Sequence, residues 1–180
     1  MTEAASGPPD RGSQHPVDQL IRELIHTGRQ ATPEEIDRII DRMAAVPFNP
    51  GTYQVPLRDR GLAYRGRTLG ARVDSLTYHL AKRVSDRQWA ENTTPAQYIQ
   101  DLRRAVRAPD ARLAVYLRRG GPIAATLTPT SAAVPAARRT LASLPEMLVI
   151  YSADRGIILS GYQASRLEAT GVPQEARWLK

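Results

Sequence analysis

The apolar pattern of this chain changes period once, near residue 110, and that change restricts the fold more than any other feature. Upstream, hydrophobic side chains recur at helical spacing; downstream they alternate as strands do. Val17, Leu20, Ile21, Leu24 and Ile25 form one helical stripe that closes at His26 and Gly28. Thr32-Pro33-Glu34-Glu35 opens the next helix with a cap, a first-turn proline and a glutamate three residues after the cap. Ile36, Ile39, Ile40 and Met43 carry it to Pro47. A third helix is predicted from about Asp74 to Trp89, with Leu76, Leu80 and Val84 inward. A fourth runs from Thr94-Pro95 to Pro109 and buries Tyr98, Leu102, Ala105 and Val106.

Past that point Leu113, Val115 and Leu117 alternate with Ala114, Tyr116 and Arg118, and Gly120-Gly121 supplies a tight turn. Ile123, Ala125 and Leu127 lead back into a long loop over 128–145. Met147–Tyr151 and Gly156–Ser160 then flank the turn Ala153-Asp154-Arg155. Helices followed by two hairpins, without βαβ alternation, predict an α+β fold. Its helices pack on one four-stranded antiparallel sheet, preceded by an N-terminal helical hairpin. The boundaries read as a disordered leader over 1–16, the helical hairpin over 17–46 and a basic connector over 47–73. An α+β core follows over 74–163, and a tail over 164–180 packs back through Trp178 and Leu179.

Hydrophobic residues make up 42% of the 180, enough to bury a core without staples. The chain has no cysteine, which excludes disulfides, thiolate zinc sites and cysteine nucleophiles. No stretch approaches the roughly 18 apolar residues of a membrane helix, and residues 1–16 lack a signal-peptide pattern. A cytoplasmic protein without a membrane partner is expected.

The net charge of +7 is unevenly spread. Residues 1–50 carry 5 basic and 8 acidic side chains, residues 51–140 carry 16 and 6, and residues 141–180 carry 4 of each. Only Lys82 and Lys180 are lysine. GC-rich coding accounts for arginine in place of lysine, but not for the thinning of acidic residues in the middle of the chain. A basic segment of this kind is the footprint of a polyanion partner, RNA first and DNA second. Arg65, Arg67, Arg72, Arg103, Arg104 and Arg107 are the phosphate-contact candidates in the connector and helices. Arg118 and Arg119 join them at a hairpin tip.

No glycine-rich phosphate loop, histidine pair or acidic metal cluster is present, so no cofactor and no metal are expected. Ser75, Ser152 and Ser160 lack a nucleophile-elbow context. What remains is His79-Leu80-Ala81-Lys82-Arg83, which on a helix presents His79, Lys82 and Arg83 together. A neutral imidazole beside two cations suits metal-free phosphate chemistry, which needs a base, an acid and positive charge for the phosphoryl oxygens. The same three residues also suit a solvated helix face. His15 reads as inert, His26 as a C-terminal capping residue, and Tyr98 as core; Tyr162 reads equally as core or as a base-stacking surface.

Residues 74–163 place the helical His79-x-x-Lys82-Arg83 before Thr94-Pro95-Ala96-Gln97-Tyr98-Ile99. An arginine-bearing hairpin follows, then Leu148-Val149-Ile150-Tyr151 with Gly156-Ile157-Ile158-Leu159-Ser160-Gly161-Tyr162. This order resembles the barnase/EndoU/colicin/RelE-type ribonucleases, a group that supplies many bacterial polymorphic toxins. The resemblance implies metal-independent RNA cleavage through a 2′,3′-cyclic phosphate. It puts His79 at the helical histidine, Lys82 or Arg83 at the cation beside it, and Ser160 and Tyr162 at the phosphate-positioning places of the last strand.

The leading expectation is therefore an RNA-binding protein with endoribonuclease activity. Its rival is a non-catalytic nucleic-acid-binding or regulatory module, whose 17–46 hairpin forms a homodimer or docks a protein. A third reading has the basic face meeting an acidic protein, such as an inhibitor.

Overall fold

A computed structural model describes residues 12–119 and 121–180. The first eleven positions of the expected leader, and Gly120 of the expected turn, lie outside them. Two helices open the described chain. Helix α1 (Pro16–Thr27) starts where the His15 imidazole Nδ1 accepts the Val17 N–H at 3.1 Å, and it ends on Gly28 at φ 70°. The expectation of an inert His15 is thus corrected: it caps a helix. Ser13 is also fixed, its N–H donating to the Asp154 carbonyl at 2.7 Å. Helix α2 (Pro33–Ala45) opens with a full capping box between Thr32 and Glu35.

The two helices do not stand apart as a docking module. Ile21, Leu24 and Ile39 are fully buried, in one cluster with Leu80, Tyr98 and Val149. Asp18, fully buried, accepts from Ser13 Oγ at 2.5 Å, from Arg42 Nη2 at 3.1 Å and from the Tyr151 hydroxyl. An unpaired carboxylate there would be costly, so α1 is tied to the strands as well as to α2. The hairpin's apolar stripe is buried inside the chain, leaving its polar outer face as the surface open to a partner.

The connector is more ordered than its composition implies. Strand β1 (Thr52–Gln54) pairs with β4 (Arg72–Asp74), and between them β2 (Ala63–Tyr64) and β3 (Arg67–Thr68) form a small second hairpin. Asp74 then caps α3 (Ser75–Ser85), and a Thr94/Gln97 capping box opens α4 (Pro95–Arg107). Trp89, placed in the third helix from sequence, lies past its end yet is buried, donating to Asp101 at 3.1 Å.

The main sheet contains β5 (Arg112–Arg118) and β6 (Gly121–Pro129). The short helix α5 (Thr130–Ala133) interrupts the expected long loop. Strands β7 (Glu146–Ser152) and β8 (Ile157–Ala164) follow, and β9 (Arg177–Trp178) closes the series. Their order is β8-β7-β6-β5-β9, antiparallel throughout, so five strands replace the expected four. The fifth comes from the tail, which pairs Trp178 with Ala114.

The tail also explains why alternation misjudged the sheet. Leu113, Val115 and Val149 face the helices, whereas Ala114, Tyr116 and Ile150 face the opposite side with Leu167, Val172 and Trp178 of the tail against them. Both faces are therefore apolar along much of β5 to β7. Leu117, expected inside, is 57% exposed because the tail does not reach the end of β5.

Candidate active site

At the end of the sheet where β5 turns into β6, the face opposite α1, α2 and α4 opens into a cleft of about 460 Å³. Ile123, Ile150 and Leu159 make its floor, and Arg118, Arg119 and Arg155 stand on its rim, all three exposed. Helix α3 and the β1 segment close the side, bringing His79 and Tyr53 against the edge strand β8.

A local irregularity fits β8 to this wall. Its register with β7 shifts so that Tyr151 faces Ile158 but Ile150 faces Ser160, which leaves Leu159 as an extra residue. Such a bulge re-aims side chains, and here Ser160 Oγ lies 3.3 Å from His79 Nδ1, 81 positions away in sequence. Phe48, Tyr53 and Tyr78 hold the imidazole by edge-on contacts, with ring centres 5.7, 5.7 and 5.3 Å from it. Burial first, then the charges of Arg83 and Lys82, pushes the His79 pKa down from 6.5 to about 4. The ring is neutral at physiological pH. When Nδ1–H donates to Ser160 Oγ, the Nε2 lone pair is left free to take a proton.

Three residues of the wall carry no sequence signal. Asn49 Oδ1 accepts from Arg155 Nη2 at 3.2 Å and from the Gly51 N–H at 2.9 Å. The Ser75 hydroxyl is buried on the cleft wall with no protein partner among the described residues. A buried, unpartnered donor beside arginines is what an anion in the cleft would satisfy. The Tyr53 hydroxyl likewise makes no hydrogen bond among the described residues, while its ring stacks on Tyr78 with centres 4.2 Å apart.

The expected site residues do not all meet at one place. His79, Ser160, Tyr162, Arg118 and Arg119 meet at the cleft. Lys82 and Arg83 are not on its wall. Lys82 Nζ lies 6.0 Å from the centre of the Tyr78 ring, and the Arg83 guanidinium, 13% exposed, stands 5.2 Å from the centre of the Tyr162 ring. They act on His79 by charge from behind. The Tyr162 hydroxyl is not free for phosphate, because it donates to the Thr170 carbonyl of the tail.

The helical arginines are also corrected in part. Arg104 binds Asp101 at 3.1 Å and the Ala133 carbonyl at 2.8 Å, and Arg107 pairs with Asp41 at 3.3 Å. Arg104 is tied into the fold, while Arg107, in an ion pair exposed on both sides, stays at the surface of α4 with Arg103. Arg65, Arg67 and Arg72 are exposed on the small hairpins, away from the cleft wall.

Among the described residues no group of three or more histidine, aspartate or glutamate side chains could hold a metal ion, and no helix is long and apolar enough to cross a membrane. No family model, curated protein or solved structure matches the chain.

Proposed function

We propose that the chain is an RNA-directed protein that cleaves RNA without a metal, leaving 2′,3′-cyclic phosphate ends. The contact that carries this reading is the neutral, half-buried His79 held against Ser160 at 3.3 Å on the wall of an arginine-rimmed cleft. His79 Nε2 takes the proton of a 2′-hydroxyl, whose oxygen attacks the adjacent phosphorus. The bond from phosphorus to the 5′-oxygen breaks, and that oxygen takes a proton from the Tyr53 phenol or from water. Arg118, Arg119 and Arg155 hold the charge that builds on the phosphoryl oxygens, and the Ser75 hydroxyl donates into the same place. A cytoplasmic setting fits such a substrate.

A short oligoribonucleotide and its 2′-deoxy counterpart, incubated with the protein in excess EDTA, test the reading. Cleavage of the first to cyclic-phosphate ends, with the second bound but uncut, is expected. Equal cutting of both would exclude attack by the 2′-oxygen.

One observation favours a second reading, a binding module without catalysis. No second histidine reaches the cleft: His15 caps α1, and His26 is exposed in that helix's last turn. In that case the oligoribonucleotide is bound with a steep salt dependence and recovered intact.

A further inference from the structure

Three non-glycine residues among those described have left-handed backbone, and all three are arginines: Arg65 at φ 52°, Arg87 at φ 58° and Arg119 at φ 50°. Each occupies a position that chain geometry gives by default to glycine or asparagine. Arg65 and Gly66 form the two-residue loop between β2 and β3, both at positive φ, the turn for which Asn-Gly is the favoured sequence. Arg87 ends α3, with its N–H on the Val84 carbonyl at 3.0 Å and the Gln88 N–H on the Arg83 carbonyl at 2.9 Å. That pair of bonds is the Schellman motif, whose left-handed residue is usually glycine. GC-rich coding favours glycine as well as arginine, so the bias that replaces lysine does not explain arginine here. Arginine therefore sits at each position against a backbone cost of about 1 kcal/mol or more.

Arg119 stands on the cleft already described. Arg65 and Arg87 instead line one cavity of about 580 Å³, together with Tyr64, Ser85, Glu91 and Asn92. Its volume lies in the range of small-ligand sites. Neither guanidinium pairs with a carboxylate among the described residues: Arg65 reaches only the Tyr64 hydroxyl of the same wall, and Glu91, the one carboxylate there, is likewise unpaired. Val84 and Ser85 follow His79 by five and six positions, which at about 3.6 residues per turn puts this cavity on the opposite side of α3. It is separate from the cleavage cleft.

We infer that this cavity is a second, phosphate-binding site for a nucleotide unit, with Arg65 and Arg87 on the phosphate and Glu91 and Asn92 facing an amino-bearing base edge. The nucleotide is either part of the RNA chain beyond the cleaved bond or free in solution; the first case rests on the RNA reading above, the second does not.

Replacing both arginines by glycine tests it, because glycine suits both backbones. Binding is measured for a 2′-O-methyl oligoribonucleotide, which cannot be cut, and for guanosine monophosphate. Arg65→Gly/Arg87→Gly should raise or preserve the melting temperature yet weaken binding about tenfold or more, and lower the salt slope for the oligonucleotide by about two. Arg38→Gln/Arg166→Gln, removing the same charge at exposed sites elsewhere, should weaken it far less. Loss for the oligonucleotide alone identifies the RNA chain as the source; loss for both ligands identifies a nucleotide pocket. Unchanged affinity for both overturns the inference. Arg65→Asn/Arg87→Asn, also tolerant of left-handed backbone, repeats the test should the glycine pair fail to fold. Wild type that binds through these arginines but never cleaves refutes the ribonuclease reading and leaves this site standing.

Discussion

The half-buried imidazole of His79 gives the fold a specific dependence on acid. In the folded chain His79 resists protonation down to about pH 4, whereas in the unfolded chain it takes a proton near its ordinary 6.5. Between those limits the unfolded state binds the extra proton, so stability is full above pH 6.5 and falls as the pH drops towards 4. At roughly 1.4 kcal/mol per pH unit, the loss from this one group reaches about 3 kcal/mol. Carboxylates titrate in the same window, so the informative quantity is a difference. Urea unfolding of the wild type and of His79→Gln, at pH 7.5, 5.5 and 4, isolates the histidine contribution. The variant's stability should depend less on pH, the two curves converging by about 3 kcal/mol from neutral pH to 4. NMR of the imidazole should show the same ring titrating near 4, and Arg83→Gln should raise that value by removing the cation with the larger effect on it. A His79 that titrates near 6.5, with parallel stability curves, would refute the burial on which the base assignment rests.

Other expectations follow from single contacts. A methyl group on Gly161 would meet Leu102 Cδ2 at 2.2 Å, so Gly161→Ala should lower stability by about 1–3 kcal/mol in denaturant unfolding. Asp101 is fully buried and accepts from Trp89, Arg104 and Arg138, the last at 2.6 Å; Asp101→Ala should cost about 3–5 kcal/mol and leave little folded protein on heating. Tyr162→Phe removes only the hydrogen bond to the Thr170 carbonyl, so it should cost about 1 kcal/mol and leave the RNA cleavage rate within a few-fold of wild type.

The helices were legible because their ends are written locally. Thr32 with Glu35 spells out a capping box that forms as read, and Thr94-Pro95 opens its helix where expected, with Gln97 completing a second box. Strand β9 was not legible: two residues, Arg177 and Trp178, carry no alternation, and only their pairing with β5 makes them a strand. The same tail buried the second face of the sheet, so the stripe read through Leu113, Val115 and Leu117 holds at the first two positions and fails only at Leu117. At the site, His79 and Ser160 were each found in their own segments, but nothing local shows that a bulge at Leu159 brings them together. Asn49, Tyr53, Ser75 and Arg155 were missed because residues in a turn, in a short strand or at a helix start look alike whether or not a cleft forms beside them. Arg104 was overvalued for the complementary reason, since its partners, Asp101 and the Ala133 carbonyl, become visible only in the folded chain. Arg87 was passed over because its left-handed backbone is a property of the helix end, not of the residue.

The measurement that bears most directly on the central claim is cleavage of total RNA and of tRNA in excess EDTA by wild type and by His79→Gln, with binding and thermal unfolding recorded on the same samples. Cleavage by wild type, abolished in the folded variant while RNA affinity stays within a few-fold, is the predicted result. Wild type that binds RNA without cutting it, or a variant that cuts as fast as wild type, would contradict a catalytic His79.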